Sequence, residues 1–426
     1  MRILHVVSGL NPNLGGVSEG IRNTIPALEK LELRNEVVSC DSSCDLWIKN
    51  VPFPLHALGP GRFRLAYSAQ FQFWLDKNLS RFDCVIVHGL WQWHVQATIR
   101  SFKKLKSNSQ GAGRYPLLFI MPHGMLDPWF QRDKTRRLKA IRNSIYWWLF
   151  ERQAVNSADA LLFTCEEEIL LARTTFRGYR PKREINIGYG IAEPPVFDPR
   201  MHDAFQAKCL ELGNNPYLLF LGRIHPKKGV DLLIRAYAEV LKNDKLKTTF
   251  PHLVIAGPGW DTSYGRQMRH LIHIANAEVP SENCKLKTVN QPRIHAIGML
   301  EGDSKWGAFH GCEAFILPSH QENFGIAVVE ALACAKPVLI SNKVNIWREI
   351  QKYKAGIVEQ DNFIGTKKLL HSFLCDQQKN SLKLKAKKCN NKKDYNPSLE
   401  CFKREFCVFE MATKINKIIR KYRQCE

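Results

Sequence analysis

Short apolar runs alternate with longer amphipathic stretches along most of this 426-residue chain. Residues 3–7 predict a first strand, followed by a polar loop through Gly16 and a helix over 18–31. Further strands are predicted at 36–39, 84–88, 117–121 and 161–165. A second series begins at 217–221 and continues through 253–256, 295–298, 314–317 and 338–341. Strand-like runs separated by helical segments argue for an α/β chain with doubly wound parallel sheets. Each run ends on Gly, Pro or small polar residues, and ligands of such sheets bind beyond the carboxyl ends of the strands.

A chain of this length exceeds one ordinary core, so two domains are expected. The Pro-rich stretch 190–199 separates the two series. The expected division is a first domain over 1–190, a linker over 191–215 and a second domain over 216–395. A C-terminal segment, 396–426, ends in an amphipathic helix predicted to pack back toward the first domain. Residues 381–393 are lysine-rich and free of acids, and read as a solvated loop or helix end.

Hydrophobic content of 45% and charged content of 24% suit a soluble globular chain, and no apolar run has the length of a membrane span. The first apolar run is too short for a signal peptide, which predicts a cytoplasmic protein. The 13 cysteines are scattered and lack any Cys-x-x-Cys pair, so they are read as reduced and structural, with no metal expected. The net charge of +22 points to an anionic partner. Nucleic acid is not favoured, because no recognition motif accompanies the charge.

The most informative segment is 318–330, which carries Glu322 and Glu330 eight positions apart with Asn323-Phe324-Gly325 directly after the first. It follows the apolar run 314–317 and leads into a predicted helix over 326–334, so the two carboxylates are separated by up to about 12 Å. That matches the reach of an extended sugar-diphosphate-ribose, and the helix start between them offers backbone N–H groups. Gly222-Arg223-Ile224-His225-Pro226-Lys227-Lys228-Gly229 likewise joins a strand to a helix predicted from Asp231. Arg223 offers a planar fork and Lys228 a point charge to phosphate oxygens.

In the first series, Gly15 and Gly16 allow close backbone approach to a ligand, and Ser18 reads as a helix cap. His123 stands in a Pro-His-Gly turn at a strand's carboxyl end, with His88 and His94 as weaker candidates on the same edge. Lys134, Arg136, Arg137, Lys139 and Arg142 crowd one segment in which Leu138, Ile141, Ile145, Trp148 and Leu149 recur at helical spacing, and Tyr146-Trp147-Trp148 adds an aromatic cluster. A basic helix with an aromatic and apolar face suits an anionic membrane surface. Its rival reading is an apolar face packed into the core.

Together these residues resemble the retaining glycosyltransferases of family 4, which have the GT-B architecture of two Rossmann-like domains facing a cleft. Glu322 to Glu330 is similar to that family's E-x7-E motif, and Gly222-Arg223 with Lys228-Gly229 resembles its phosphate-binding element. Gly15-Gly16 is similar to the loop facing the donor, and His123 to the active-site histidine. The resemblance implies that Glu330 holds ribose hydroxyls and Glu322 contacts the donor sugar. The amides of Asn323, Phe324 and Gly325 would face its hydroxyls, while Arg223 and Lys228 stabilise the departing diphosphate. Base-facing residues are expected near Ile297. One departure is Ala335, where the family often has Gly.

The activity implied is transfer of a hexose from a UDP- or GDP-sugar to a hydroxyl of a glycan or lipid-linked acceptor, with retention. A place in surface polysaccharide or glycolipid assembly follows, with peripheral contact to the inner face of the plasma membrane. No Asp-x-Asp occurs, so neither metal nor other cofactor is expected. The rivals are a non-catalytic nucleotide-sugar scaffold or sensor on the same fold, and a sugar epimerase.

Overall fold

The computed structural model describes residues 1–11, 15–108, 115–133, 136–242, 250–278, 293–386 and 395–424, without side chains over 376–386. The chain divides into two compact units: Met1–Ala192 with Glu405–Glu426, and Glu193–Arg404.

The first unit is built on a seven-stranded parallel sheet in the order β3-β2-β1-β4-β5-β6-β7. Its strands are β1 (Arg2–Val7), β2 (Arg34–Ser39), β3 (Leu55–Ala57), β4 (Cys84–His88), β5 (Leu117–Met121), β6 (Ala160–Phe163) and β7 (Glu184–Asn186). The central strands β4 and β5 are buried at every position, which is why β5 reads as an unbroken apolar run and β4 as one up to His88. The strand order reverses between β1 and β4. The first helix, Gly16–Glu29, begins at Gly15 (φ 86), so Ser18 is not its cap. Ser18 lies one turn inside and donates its hydroxyl to the Leu10 carbonyl at 2.7 Å. The last helix, Val408–Gln424, buries Met411, Ala412, Ile415 and Ile419 and packs on the first helix of this unit.

The second unit has a six-stranded parallel sheet in the order β10-β9-β8-β11-β12-β13. Its strands are β8 (Tyr217–Leu221), β9 (His252–Ala256), β10 (Ile294–Ile297), β11 (Ala314–Leu317), β12 (Val338–Ser341) and β13 (Gly356–Glu359). Here the order reverses between β8 and β11. The predicted linker over 191–215 is largely ordered structure of this unit. Asp198 caps the helix Pro199–Gln206 through the Arg200 amide, and that helix packs closely on Gly302–Gly311. At Gly307 a β-carbon would stand 1.9 Å from the Met201 carbonyl, so the contact needs glycine there. The segment Pro397–Cys401 also belongs to this unit, so the chain returns to the first unit only at Glu405. Residues 381–386 continue the helix Phe363–Ala386, and the rest of the lysine-rich stretch lies outside the described residues.

Candidate functional site

In the second unit, three loops lace together beyond the carboxyl ends of β8, β9 and β10. The Gly222 amide donates to Ala256, Ile224 to Pro258 and Gly257 to Gly298, at 3.0, 2.8 and 3.0 Å. Across the reversal, the Ser319 hydroxyl and the His320 amide both donate to the Lys227 carbonyl at 2.8 Å. Gly229 (φ 66) lets the two loops touch, since a β-carbon there would stand 2.2 Å from the Pro318 carbonyl.

This joining delivers Lys228 onto Glu322: the ammonium and carboxylate form a direct ion pair, and both side chains are mostly buried. The backbone of Glu322 is held from both sides, its amide donating to Lys343 and its carbonyl accepting from Asn345, each at 2.9 Å. Asn345 also donates a longer bond, 3.4 Å, to the Asn323 side chain. Gly325 (φ 79) then starts the helix Ile326–Ala333, and Phe324 is buried beneath the turn. Glu330, on that helix, is only 9% exposed and receives the Lys305 ammonium at 2.5 Å. The two carboxylates therefore meet cations from two different elements.

Burial, with Arg223 and Lys227 nearby, lowers the Lys228 ammonium to about 8, while the adjacent Glu322 carboxylate opposes that shift. Arg223 is exposed at the head of the loop. Lys228 and Lys305 each neutralise one carboxylate, while Arg223 and Lys227 add further positive charge. Each carboxylate can accept from hydroxyls, and the cationic groups of Arg223 and Lys228 suit anionic oxygens. At the neighbouring strand end, the Ile297 carbonyl accepts from the Trp260 indole at 2.7 Å, and Met299 is exposed beside it.

In the first unit, His123 occupies the turn after β5 with φ 52, an uncommon conformation for a non-glycine residue. Its Nε2 lies 3.0 Å from Nδ1 of His88, the last residue of β4. His94 is buried and bonds the His88 carbonyl, which fits packing rather than ligand contact. Gly15 and Gly16 follow β1, and among the described residues no atom beyond the chain neighbours lies within 4 Å of where a Gly15 β-carbon would stand.

Two family models match this chain almost end to end: "Glycosyl transferase 4-like domain" over residues 15–190 and "Glycosyl transferases group 1" over 202–388. The chain belongs to the family 4 glycosyltransferases, of GT-B type.

This glycosyltransferase is 31% identical over 192 residues to a D-inositol 3-phosphate glycosyltransferase of Kribbella flavida, covering 45% of the chain. It spans less than half the length of such curated relatives, 42% in that case. Among solved structures, Anabaena HepE in complex with UDP superposes with a TM-score of 0.68 at 15% identity, over 99% of this chain and all of the other. Sucrose-phosphate synthase from Thermosynechococcus elongatus gives 0.66 at 16% identity, with complete coverage of both. At these identities the likeness concerns the fold.

The glycosyltransferase's basic segment divides differently from the sequence expectation. Leu138 (84% exposed), Ile141, Ile145, Trp148 and Leu149 stand in solvent, as do Arg137, Lys139 and Arg142. Trp147 does not belong with them. It is 1% exposed, stacks on Phe176 at 4.7 Å and donates its indole to the Arg177 carbonyl. It follows the buried Asn143 by one helical turn and opens a π-helical turn over Trp147–Glu151. Arg136 is half-buried over Trp129 and Phe130, and Lys134 lies outside the described residues. No described helix is long and apolar enough to cross a membrane.

Sequence reading missed Lys305, which is 25 positions from Glu330 and carries no motif of its own. It also missed His5 and Asn35, whose polar side chains on β1 and β2 were detectable only as interruptions of apolar runs.

Proposed function

We propose that this chain transfers a hexose from a nucleoside diphosphate sugar to a hydroxyl of a glycan or lipid-linked acceptor, with retention at the anomeric carbon and without a metal. The observation that carries this reading is the Lys228–Glu322 pair at the β8/β11 reversal, with Glu330 held by Lys305 eight residues on. That spacing suits a donor gripped at both ends, with Glu322 toward the sugar and Glu330 toward the ribose. Family membership supports a transferase, and the HepE complexes with UDP and UDP-glucose favour a uridine nucleotide as the first donor to test.

The bond between the anomeric carbon and the diphosphate oxygen breaks, leaving its electron pair on that oxygen. Arg223 and Lys228 meet the charge that develops there, where a preorganised cation acts most strongly. The acceptor hydroxyl oxygen bonds to the same face of the sugar, and its proton passes to the departing phosphate oxygen. His123, at the carboxyl end of β5, hydrogen-bonds a sugar hydroxyl.

The acceptor is proposed to be presented at an anionic membrane surface, carried by the exposed stripe Leu138, Ile141, Ile145 and Trp148 beside Arg137, Lys139 and Arg142. Nucleotide release from a panel of UDP- and GDP-sugars, with and without lipid extract, tests the reaction. Acceptor-dependent release that falls about 10²–10³-fold in Lys228→Ala is expected. Tight donor binding without turnover would favour a sensor, and donor conversion without acceptor an epimerase.

A further inference from the structure

Four polar side chains cross the first sheet on a diagonal. Asn35 on β2 pairs in register with Ile3, two residues before His5. His5 on β1 pairs with Ile86, two residues before His88. His88 on β4 pairs with Met121, two residues before His123. Each step advances one strand and two residues, so all four lie on one face as diagonal neighbours.

They are hydrogen-bonded in series. Asn35 Oδ1 meets His5 Nε2 at 3.1 Å, His5 Nδ1 meets His88 Nε2 at 3.0 Å, and His88 Nδ1 meets His123 Nε2 at 3.0 Å. The direction of the chain is fixed at its first member. Asn35 Nδ2 donates to the Leu33 carbonyl at 2.8 Å, which turns Oδ1, an acceptor only, toward His5. In neutral rings each bond then dictates the next. His5 carries its proton on Nε2 and accepts at Nδ1, His88 does the same, and His123 is left with Nε2–H and a bare Nδ1.

We propose that Asn35, His5 and His88 are positioning residues that hold His123 in the Nε2–H tautomer, so that Nδ1 accepts from a hydroxyl of the sugar substrate. The last step rests on the role given to His123 above. The tautomer itself does not.

The surroundings suit a neutral relay. The first and last helices cover it with Gly20, Ile21, Thr24, Met411 and Ile415. The titratable groups nearby are His94, on the His88 carbonyl, Tyr189, edge-on to His123, and Glu168, which accepts from the Gly124 amide. Burial lowers His5, His94 and His123 to about 4 and His88 well below its ordinary value. A proton forced onto His5 Nδ1 would leave its bond to Asn35 as it is, reverse both His–His bonds and turn His123 Nδ1 from acceptor to donor.

Asn35→Asp tests this from three strands away. A carboxylate at position 35 favours the imidazolium of His5 and therefore the reversed series. Long-range proton–nitrogen correlation spectra of histidine-labelled full-length protein read both ring nitrogens of His123, whose signals are identified by their loss in His123→Gln. The wild type should show a bare Nδ1, and Asn35→Asp a protonated one, with the acid limb of kcat/KM raised by more than one pH unit. A protonated Nδ1 in the wild type overturns the proposal, as does an Asn35→Asp protein unchanged in both readouts. Should Asn35→Asp not fold, His5→Leu cuts the series and should leave His123 in mixed tautomers; a single wild-type tautomer there overturns it equally. Unchanged transfer in His123→Gln, with the tautomer as expected, would overturn only the substrate role of His123.

Discussion

Ala335 adopts φ 61, the left-handed conformation that glycine takes at least cost. It follows the helix Ile326–Ala333, and two bonds close the helix end: Ala335 N to Leu332 O and Lys336 N to Ala331 O, both 2.9 Å. That pattern normally places glycine where Ala335 stands. Ala335→Gly should therefore raise stability by about 1 kcal/mol in urea denaturation; an unchanged or lower midpoint would contradict the strain. Lys228 makes a second residue-level prediction. Burial with its cationic neighbours lowers its ammonium to about 8, so its charge is lost as pH rises through that value. Donor KM should rise above about pH 8 in the wild type, and Lys228→Arg should remove that rise because arginine stays charged.

At the scale of elements, the π-helical turn separates two adjacent tryptophans. Trp147→Ala should destabilise the protein by about 3–5 kcal/mol, the cost of emptying a large core site. Trp148→Ala and Ile141→Asp should leave the unfolding midpoint near wild type but reduce sedimentation with anionic vesicles at low salt. Equal vesicle binding by all variants would sink the membrane surface. Helical spacing carries this division: Trp148 falls with Leu138, Ile141 and Ile145, whereas Trp147, about 100° away, falls near the buried Asn143. The central strands were legible because they are buried on both faces: β5, β8 and β11 are apolar throughout, and β1 and β4 are interrupted only by Arg2, His5 and His88. The strands β3, β7 and β13 were not anticipated. Each ends its sheet, is three or four residues long and only partly buried, so it lacks an apolar run. The Glu322–Glu330 segment and the Arg223–Lys228 loop were legible because each sits between a strand and a helix. Lys305 was not, since its meeting with Glu330 exists only after the helices pack.

For the whole molecule, buried neutral histidines tie stability to pH. His5, His88 and His94 gain protons below about 6.5 in the unfolded chain, but when folded His5 and His94 stay neutral until about 4, and burial holds His88 well below its ordinary value. The unfolded state thus binds more protons in that window, and stability falls as pH drops through it, by about 1.4 kcal/mol per pH unit for each group. A urea midpoint that stays flat from pH 6.5 to 4.5 would contradict their burial as neutral rings. In the proposed reaction the two carboxylates grip opposite ends of one donor. Calorimetric titration with UDP and UDP-glucose, or the guanosine pair if that binds more tightly, tests it most directly. Glu330→Ala should weaken the nucleotide and the nucleotide sugar alike, whereas Glu322→Ala should weaken the nucleotide sugar far more than the nucleotide. Equal losses for both ligands in both variants, or wild-type binding in either, would contradict the claim.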